Sequence, residues 1–206
     1  QNSLLYTIVS TIAIIILAVA ASFAFAKIKS KATPLLYGSF VIGILLSLQS
    51  LMIPIYLMVK AVNLDDTRLG VLIPYVSLGL PIAIYLCTEY IKSIPDALLE
   101  SARIDGASYY KIFSLIVMPM TKPVITTVAI MSVTGIWNEF MLINIIVSKN
   151  SLKSLPVGIM MFSGALASDW GKQLAALVIG LVPMIAFYLV FRNQITHGMA
   201  AGAVKG

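Results

Sequence analysis

Only one cysteine, Cys87, and one histidine, His197, occur among the 206 residues. A lone thiol cannot close an internal disulfide and a lone imidazole cannot build a Cys/His cluster, so disulfide scaffolds and zinc sites are excluded. Charge is also sparse, at 11% of residues against roughly a quarter in a soluble domain. There is no HExxH, no serine paired with a histidine inside an apolar run, and no intramembrane pair of aspartates, which removes the common intramembrane enzymes. What is present in excess is apolarity: 60% hydrophobic residues and a mean hydropathy of +0.99 place the chain in a bilayer. The surplus of 14 Lys and Arg over 8 Asp and Glu fits basic membrane flanks, so no nucleic-acid partner is expected.

A helix crossing about 30 Å of hydrocarbon needs about 20 mostly apolar residues. Charge-free runs at 4–26, 35–59, 70–88, 124–147 and 174–191 give five such spans. Pro54 marks a kink or terminus near the end of the second, and Asn138 and Glu139 alone interrupt the fourth. The expected fold class is an all-α membrane protein, a polytopic helical bundle. A signal peptide at 4–26 is the alternative for the first run, but the basic leader is missing.

Alternating sides divides the basic residues into two sets. One holds Lys27, Lys29, Lys31, Lys92, Arg103, Lys111, Lys122, Arg192 and Lys205; the other holds Lys60, Arg68, Lys149, Lys153 and Lys172. Nine against five puts the first set, and the C-terminal tail 192–206, in the cytoplasm. An outside start at Gln1, without Met or a basic leader, leads us to expect a further helix upstream, six in the intact subunit.

The connection 89–122 is the one long cytoplasmic insert, and function is expected to concentrate there. Ser93, Pro95 and Asp96 read as a capped helix start, with Ser93 and Asp96 completing a capping box. Leu98, Ser101, Ala102 and Asp105 share one side at helical spacing, Asp96, Glu100 and Arg103 another. Gly106 ends the turn, and Tyr109, Ile112, Phe113 and Ile116 form a second amphipathic stretch stopped by Pro119. The expectation is a cytoplasmic helix-Gly-helix hairpin. Small Ser101 and Ala102 permit close approach of another backbone, and Glu100 offers a carboxylate to a basic partner. An amphipathic helix lying on the lipid surface is the alternative, though a strongly basic face is lacking.

Glu100-Ser101-Ala102-Arg103-Ile104-Asp105-Gly106-Ala107-Ser108, followed by Ile116-Val117-Met118-Pro119, resembles the EAA loop of permease subunits of binding-protein-dependent ABC importers. Ser101 stands where that pattern has Ala, and Met118 where it has Leu. Asn2-Ser3-Leu4, Trp137-Asn138-Glu139-Phe140 and Gly202-Ala203-Val204-Lys205-Gly206 are similar to the maltose-type sugar permease subunit. The resemblance implies one half of a translocation pathway, paired with a second homologous permease, two ATPase subunits and an extracytoplasmic solute-binding protein, in a bacterial or archaeal cytoplasmic membrane. It implies that Glu100, Ser101, Ala102, Asp105 and Gly106 couple to the ATPase, and that Gly202, Val204 and Lys205 of the tail reach toward it. ATP and Mg would be bound by that partner; this chain has no G-x-x-x-x-G-K-[ST] loop and needs no cofactor of its own. Without the resemblance, the glycine-rich tail reads as a disordered end.

An ionisable Glu139 inside a span must face protein or water. Trp137, Asn138 and Glu139 together offer a flat apolar face, an amide and a carboxylate suited to a sugar in the pathway. Hydrogen bonds between helices are the other reading of Asn138 and Glu139. A rival function is an ion-coupled secondary carrier using Glu139, but no inverted repeat favours it. The outer connection 148–172, with Trp170, either touches a solute-binding protein or is a passive re-entrant connection.

Overall fold

The computed structural model describes residues 1–28, 30–162 and 170–203, with side chains as far as Arg192. The chain is all-α, with no strand among the described residues. Helices α1 (Asn2–Lys27) and α4 (Arg68–Lys92) form the most extensive helix pair, and α8 (Lys122–Asn138) packs across both. Small residues make this possible: a side chain at Gly79 would meet Ile14 of α1. Ile14, Ala18, Val19, Ala83, Ile84, Cys87, Val124 and Val128 form the buried seam. Helix α11 (Trp170–Ala203) leans on α8 and the short α10 (Leu155–Met160), and none of its most apolar window is buried.

Asn2–Lys27, Arg68–Lys92 and Trp170–Arg192 are each long and apolar enough to cross a bilayer. Two bent pairs bring the number to five when each is taken as one crossing. The first pair is α2 (Thr33–Gly43) and α3 (Leu48–Ala61), which meet at 106°. The break therefore falls at 44–47 and not at Pro54, which sits inside α3. Ser47 accounts for it: its hydroxyl accepts from the amide of Ser50 and starts a new helix, as an N-cap does.

The expected run 124–147 is also broken. Helix α8 ends at Asn138, Glu139 and Phe140 leave the helical path, and α9 (Met141–Ile146) starts anew. At its other end α8 meets, at 69°, the segment Tyr109–Met120. Pro119 does not stop that segment. Helix α6 (Tyr109–Ile112) passes through a π-helical turn, Phe113–Val117, into α7 (Met118–Met120), with the Met118 amide donating five residues back to Phe113. The wider turn admits a proline that has no amide to donate. The corner comes two residues after Pro119, at buried Thr121, whose hydroxyl donates to the Met118 carbonyl at 2.9 Å.

Beyond Arg192 the backbone of α11 stays helical to Ala203, where composition suggests a disordered tail. Val204 and Lys205 of the expected tail site, and Lys29 of the basic cluster, lie outside the described residues.

Candidate functional site

The 89–122 connection is shorter as a loop than the sequence suggests, because α4 runs to Lys92. Ser93 closes α4, its hydroxyl donating to the Tyr90 carbonyl at 2.7 Å, so the expected capping box does not form. Helix α5 (Asp96–Ile104) instead begins after Pro95 with no side-chain cap, and Asp96 takes the ammonium of Lys27 at 2.7 Å. Residue 96 supplies an acidic group to the positive N-terminal end of α5, and Lys27 a base to the negative end of α1, so both helix dipoles favour the pair.

Gly106 turns the chain between α5 and α6 with φ +78, a left-handed conformation that costs other L-residues about 1–2 kcal/mol. The Ala107 amide reaches back to the Ala102 carbonyl at 2.9 Å and the Gly106 amide to Arg103 at 3.0 Å, closing the end of α5. Ser108 then caps α6 by accepting from the Lys111 amide. Leu99, Ile112 and Val117 are buried with Phe23, Ile91 and Ile94, which fixes the element to the ends of α1 and α4. Leu99 packs inward, while Leu98, Ser101 and Asp105, which share one side at helical spacing, are exposed.

Glu100, Ser101, Asp105 and Gly106 thus share an exposed turn, and Ala102 is half-buried behind it. The Glu100 and Asp105 carboxylates have no partner among the described residues. Around them Ile104 is 86% exposed and Tyr110 77%, an apolar content unusual for a surface that meets only water. A polar cleft of about 320 Å³ beside it is lined by Lys27, Asp96, Glu100, Arg103 and Tyr109.

The three residues singled out in the fourth run do not form one site. Trp137 and Asn138 line a cavity of about 530 Å³ between α8, α10 and α11, where Asn138 donates to the Thr134 carbonyl at 2.8 Å. Gln173 also lines this cavity, and its buried amide oxygen has no partner among the described residues; nothing in the local sequence of α11 marks that residue. Glu139 faces another cavity, of about 290 Å³, between α1, α4 and α8. Its Oε1 accepts from the Leu142 amide at 2.6 Å and its Oε2 from the Ile143 amide at 3.3 Å, so the carboxylate caps α9. Tyr75 of α4, 5% exposed, donates its hydroxyl to the same Oε2. Glu139 is thereby committed to holding the corner between α8 and α9 onto α4. Local sequence gives no means of finding Tyr75, which is 64 residues away.

At the opposite end of the bundle, the loop 148–153 is strapped from two directions. Asp66, itself at φ 54, accepts from the amides of Ser148 at 2.6 Å and Lys149 at 2.9 Å. These amides, Lys149's foremost, and the charges of Lys149 and Lys153 hold its carboxyl below the usual carboxylate value. From α1, Asn2 donates to the Ser151 carbonyl at 2.8 Å and the Lys153 carbonyl at 3.1 Å, and Tyr6 to the Leu152 carbonyl at 2.9 Å. No group of three or more His, Cys, Asp and Glu able to hold a metal occurs among the described residues.

This bundle, with its glycine turn carried outside the apolar helices, matches across residues 2–197 the family model of the inner membrane component of binding-protein-dependent transport systems. The chain belongs to this family. It is a multi-pass membrane permease, and its relatives agree over their common length. The multiple sugar-binding transport system permease protein of Streptococcus mutans is 34% identical over 208 residues, covering 99% of this chain and 75% of its own. The sulfoquinovosyl glycerol transport system permease protein of Agrobacterium fabrum is 30% identical over 205 residues, covering 100% of this chain and 72% of its own. The trehalose/maltose transport system permease protein of Thermococcus litoralis is 30% identical over 208 residues, covering 100% of this chain and 74% of its own.

Proposed function

We propose that this permease forms half of the translocation pathway of an ATP-driven importer for a sugar or oligosaccharide. A second homologous permease completes the pathway, a solute-binding protein delivers the solute from outside, and two ATPase subunits bind ATP and Mg. The observation that carries the reading is the exposed Glu100–Gly106 turn: its carboxylates lack partners among the described residues, while the helices behind it are fixed to α1 and α4. Such an element can take a groove of a partner and move with it as a rigid body. The cytoplasmic C-terminus, with Gly202, Val204 and Lys205 near the ATPases, belongs to the same reading.

The carbohydrate class rests on the named relatives, and the Trp137, Asn138 and Gln173 cavity suits a ring with one apolar face and several hydroxyls. An ion-coupled carrier built on Glu139 is less well supported, because that carboxylate already satisfies two amides and a tyrosine. The deciding experiment is ATP hydrolysis and uptake in proteoliposomes holding this chain, its operon-neighbour permease and ATPase, with and without binding protein loaded with candidate sugars. Stimulation by one loaded binding protein, lost with Gly106→Val, is the expected result. Uptake driven by an imposed proton gradient without any ATPase would overturn it.

A further inference from the structure

Helix α1 is gripped at both ends by contacts distant in sequence. At one end the Lys27 ammonium, on a side chain only 7% exposed, donates to the Ile94 carbonyl and to Asp96 Oδ1, each at 2.7 Å. Both acceptors belong to the turn that begins α5. One helical turn earlier, Phe23 packs on Phe113 of the π-helical turn with ring centroids 5.3 Å apart. Residues 23 and 27 lie four apart, on one face, so α1 holds both α5 and the segment after Gly106. At the other end Asn2 holds the carbonyls of Ser151 and Lys153, and the Ser3 hydroxyl accepts from the Leu155 amide at 2.7 Å. From Asn2 to Lys27 the helix has 26 residues, about 38 Å of rod, with no proline or glycine to bend it.

The geometry points to α1 as a transmission rod that carries the displacement of α5 to the loop 148–155, with Lys27 and Asn2 as its two positioning residues. The inference rests on the coupling reading of the Glu100–Gly106 turn. A connection through α4 alone would be softer, since Pro74 and Pro81 lie inside that helix and each removes a backbone hydrogen bond. Burial fits Lys27 to this role, because an ammonium withdrawn from water holds its two acceptors more firmly than an exposed one and cannot be released without stranding a charge. Two such grips in series imply a specific energetic signature. Residues about 38 Å apart normally act independently; two ends of one rod do not.

The test uses the assembled transporter in proteoliposomes and reads sugar taken up per ATP hydrolysed. Lys27→Met and Asn2→Ala are each expected to lower that ratio at least fivefold while ATP hydrolysis continues. Lys27→Arg, which keeps the charge and the donor, should stay within twofold of the parent. The double variant Lys27→Met/Asn2→Ala should be no worse than the weaker single variant. Multiplying losses, or assembled single variants with an unchanged ratio, would overturn the rod. If Lys27→Met fails to assemble, Lys27→Arg and Asn2→Ala carry the test, and an unchanged ratio in Asn2→Ala overturns it. A parent transporter whose uptake ignores ATP would overturn the coupling reading itself, a result distinguishable from either.

Discussion

Two acidic residues of this permease, Glu100 and Glu139, occupy opposite situations. Glu139 sits at a broken helix inside the bundle and spends its carboxylate on two amides and Tyr75. Glu100 stands on an exposed turn with no partner among the described residues. A half-buried carboxylate inside the bundle is satisfied by its own chain, because the alternative is an ion in a low dielectric. An exposed carboxylate beside exposed apolar side chains is satisfied by water until a partner displaces it. The two acids therefore report on different things, one on the fold and, under the proposed function, the other on the assembly.

The contrast is tested most severely by Glu139→Ala. It leaves Tyr75 and the first amides of α9 without their acceptor, so stability should fall by roughly 3 kcal/mol, read as a lowered Tm of the purified complex. An unchanged Tm would show that Glu139 is not structural. Tyr75→Phe removes one hydrogen bond to a charged acceptor and should cost about 1.5 kcal/mol by the same measurement.

On the exposed side the order should reverse between stability and transport. Gly106→Val forces a side chain into a left-handed turn with no atom within 4 Å of the added carbon, so its penalty is conformational, about 1–2 kcal/mol, and confined to the turn. Uptake should drop roughly tenfold, since that energy is a factor of about ten in an equilibrium, with a loss of Tm no larger than that of Tyr75→Phe. Glu100→Gln should cost less, at most about 1 kcal/mol of pairing at an exposed rim, or under about fivefold in uptake. Uptake rates in the reverse order would move the coupling role from the shape of the turn to its charge.

A finer effect concerns Asp66. Its lowered value means that the ionised carboxylate is favoured in the folded state, so its support of the loop is complete above the unfolded value near about 4 and fades as pH falls through the lower folded one. Hydrogen exchange at the Ser148 and Lys149 amides, corrected for intrinsic rates, should show protection at neutral pH that is lost at more acid pH. Asp66→Asn should remove that pH dependence.

The membrane class, the three long apolar helices and the glycine turn are legible from residue order, because apolarity and left-handed backbone preference belong to single residues or short windows. The same windows misplace the breaks. Pro54 is the conspicuous helix breaker, yet the chain turns at 44–47, where Ser47 caps a new helix; Pro119 is absorbed by a π-helical turn that is not encoded by any local periodicity. Ser93 satisfies the pattern of a capping box, but α4 reaches it first. Trp137, Asn138 and Glu139 are neighbours in sequence and face different cavities because the helix ends between them.

Residue order alone establishes that the chain lives in a bilayer, that it carries no nucleotide loop, and that one polar connection contains a glycine turn. Which polar groups are already taken emerges only when the helices are packed together. Lys27 with Asp96, Tyr75 with Glu139 and Asn2 with Ser151 are separated by 69, 64 and 149 residues. Pairings over such distances are selected by how whole helices pack, since a polar group withdrawn from water takes whichever partner that packing brings within reach.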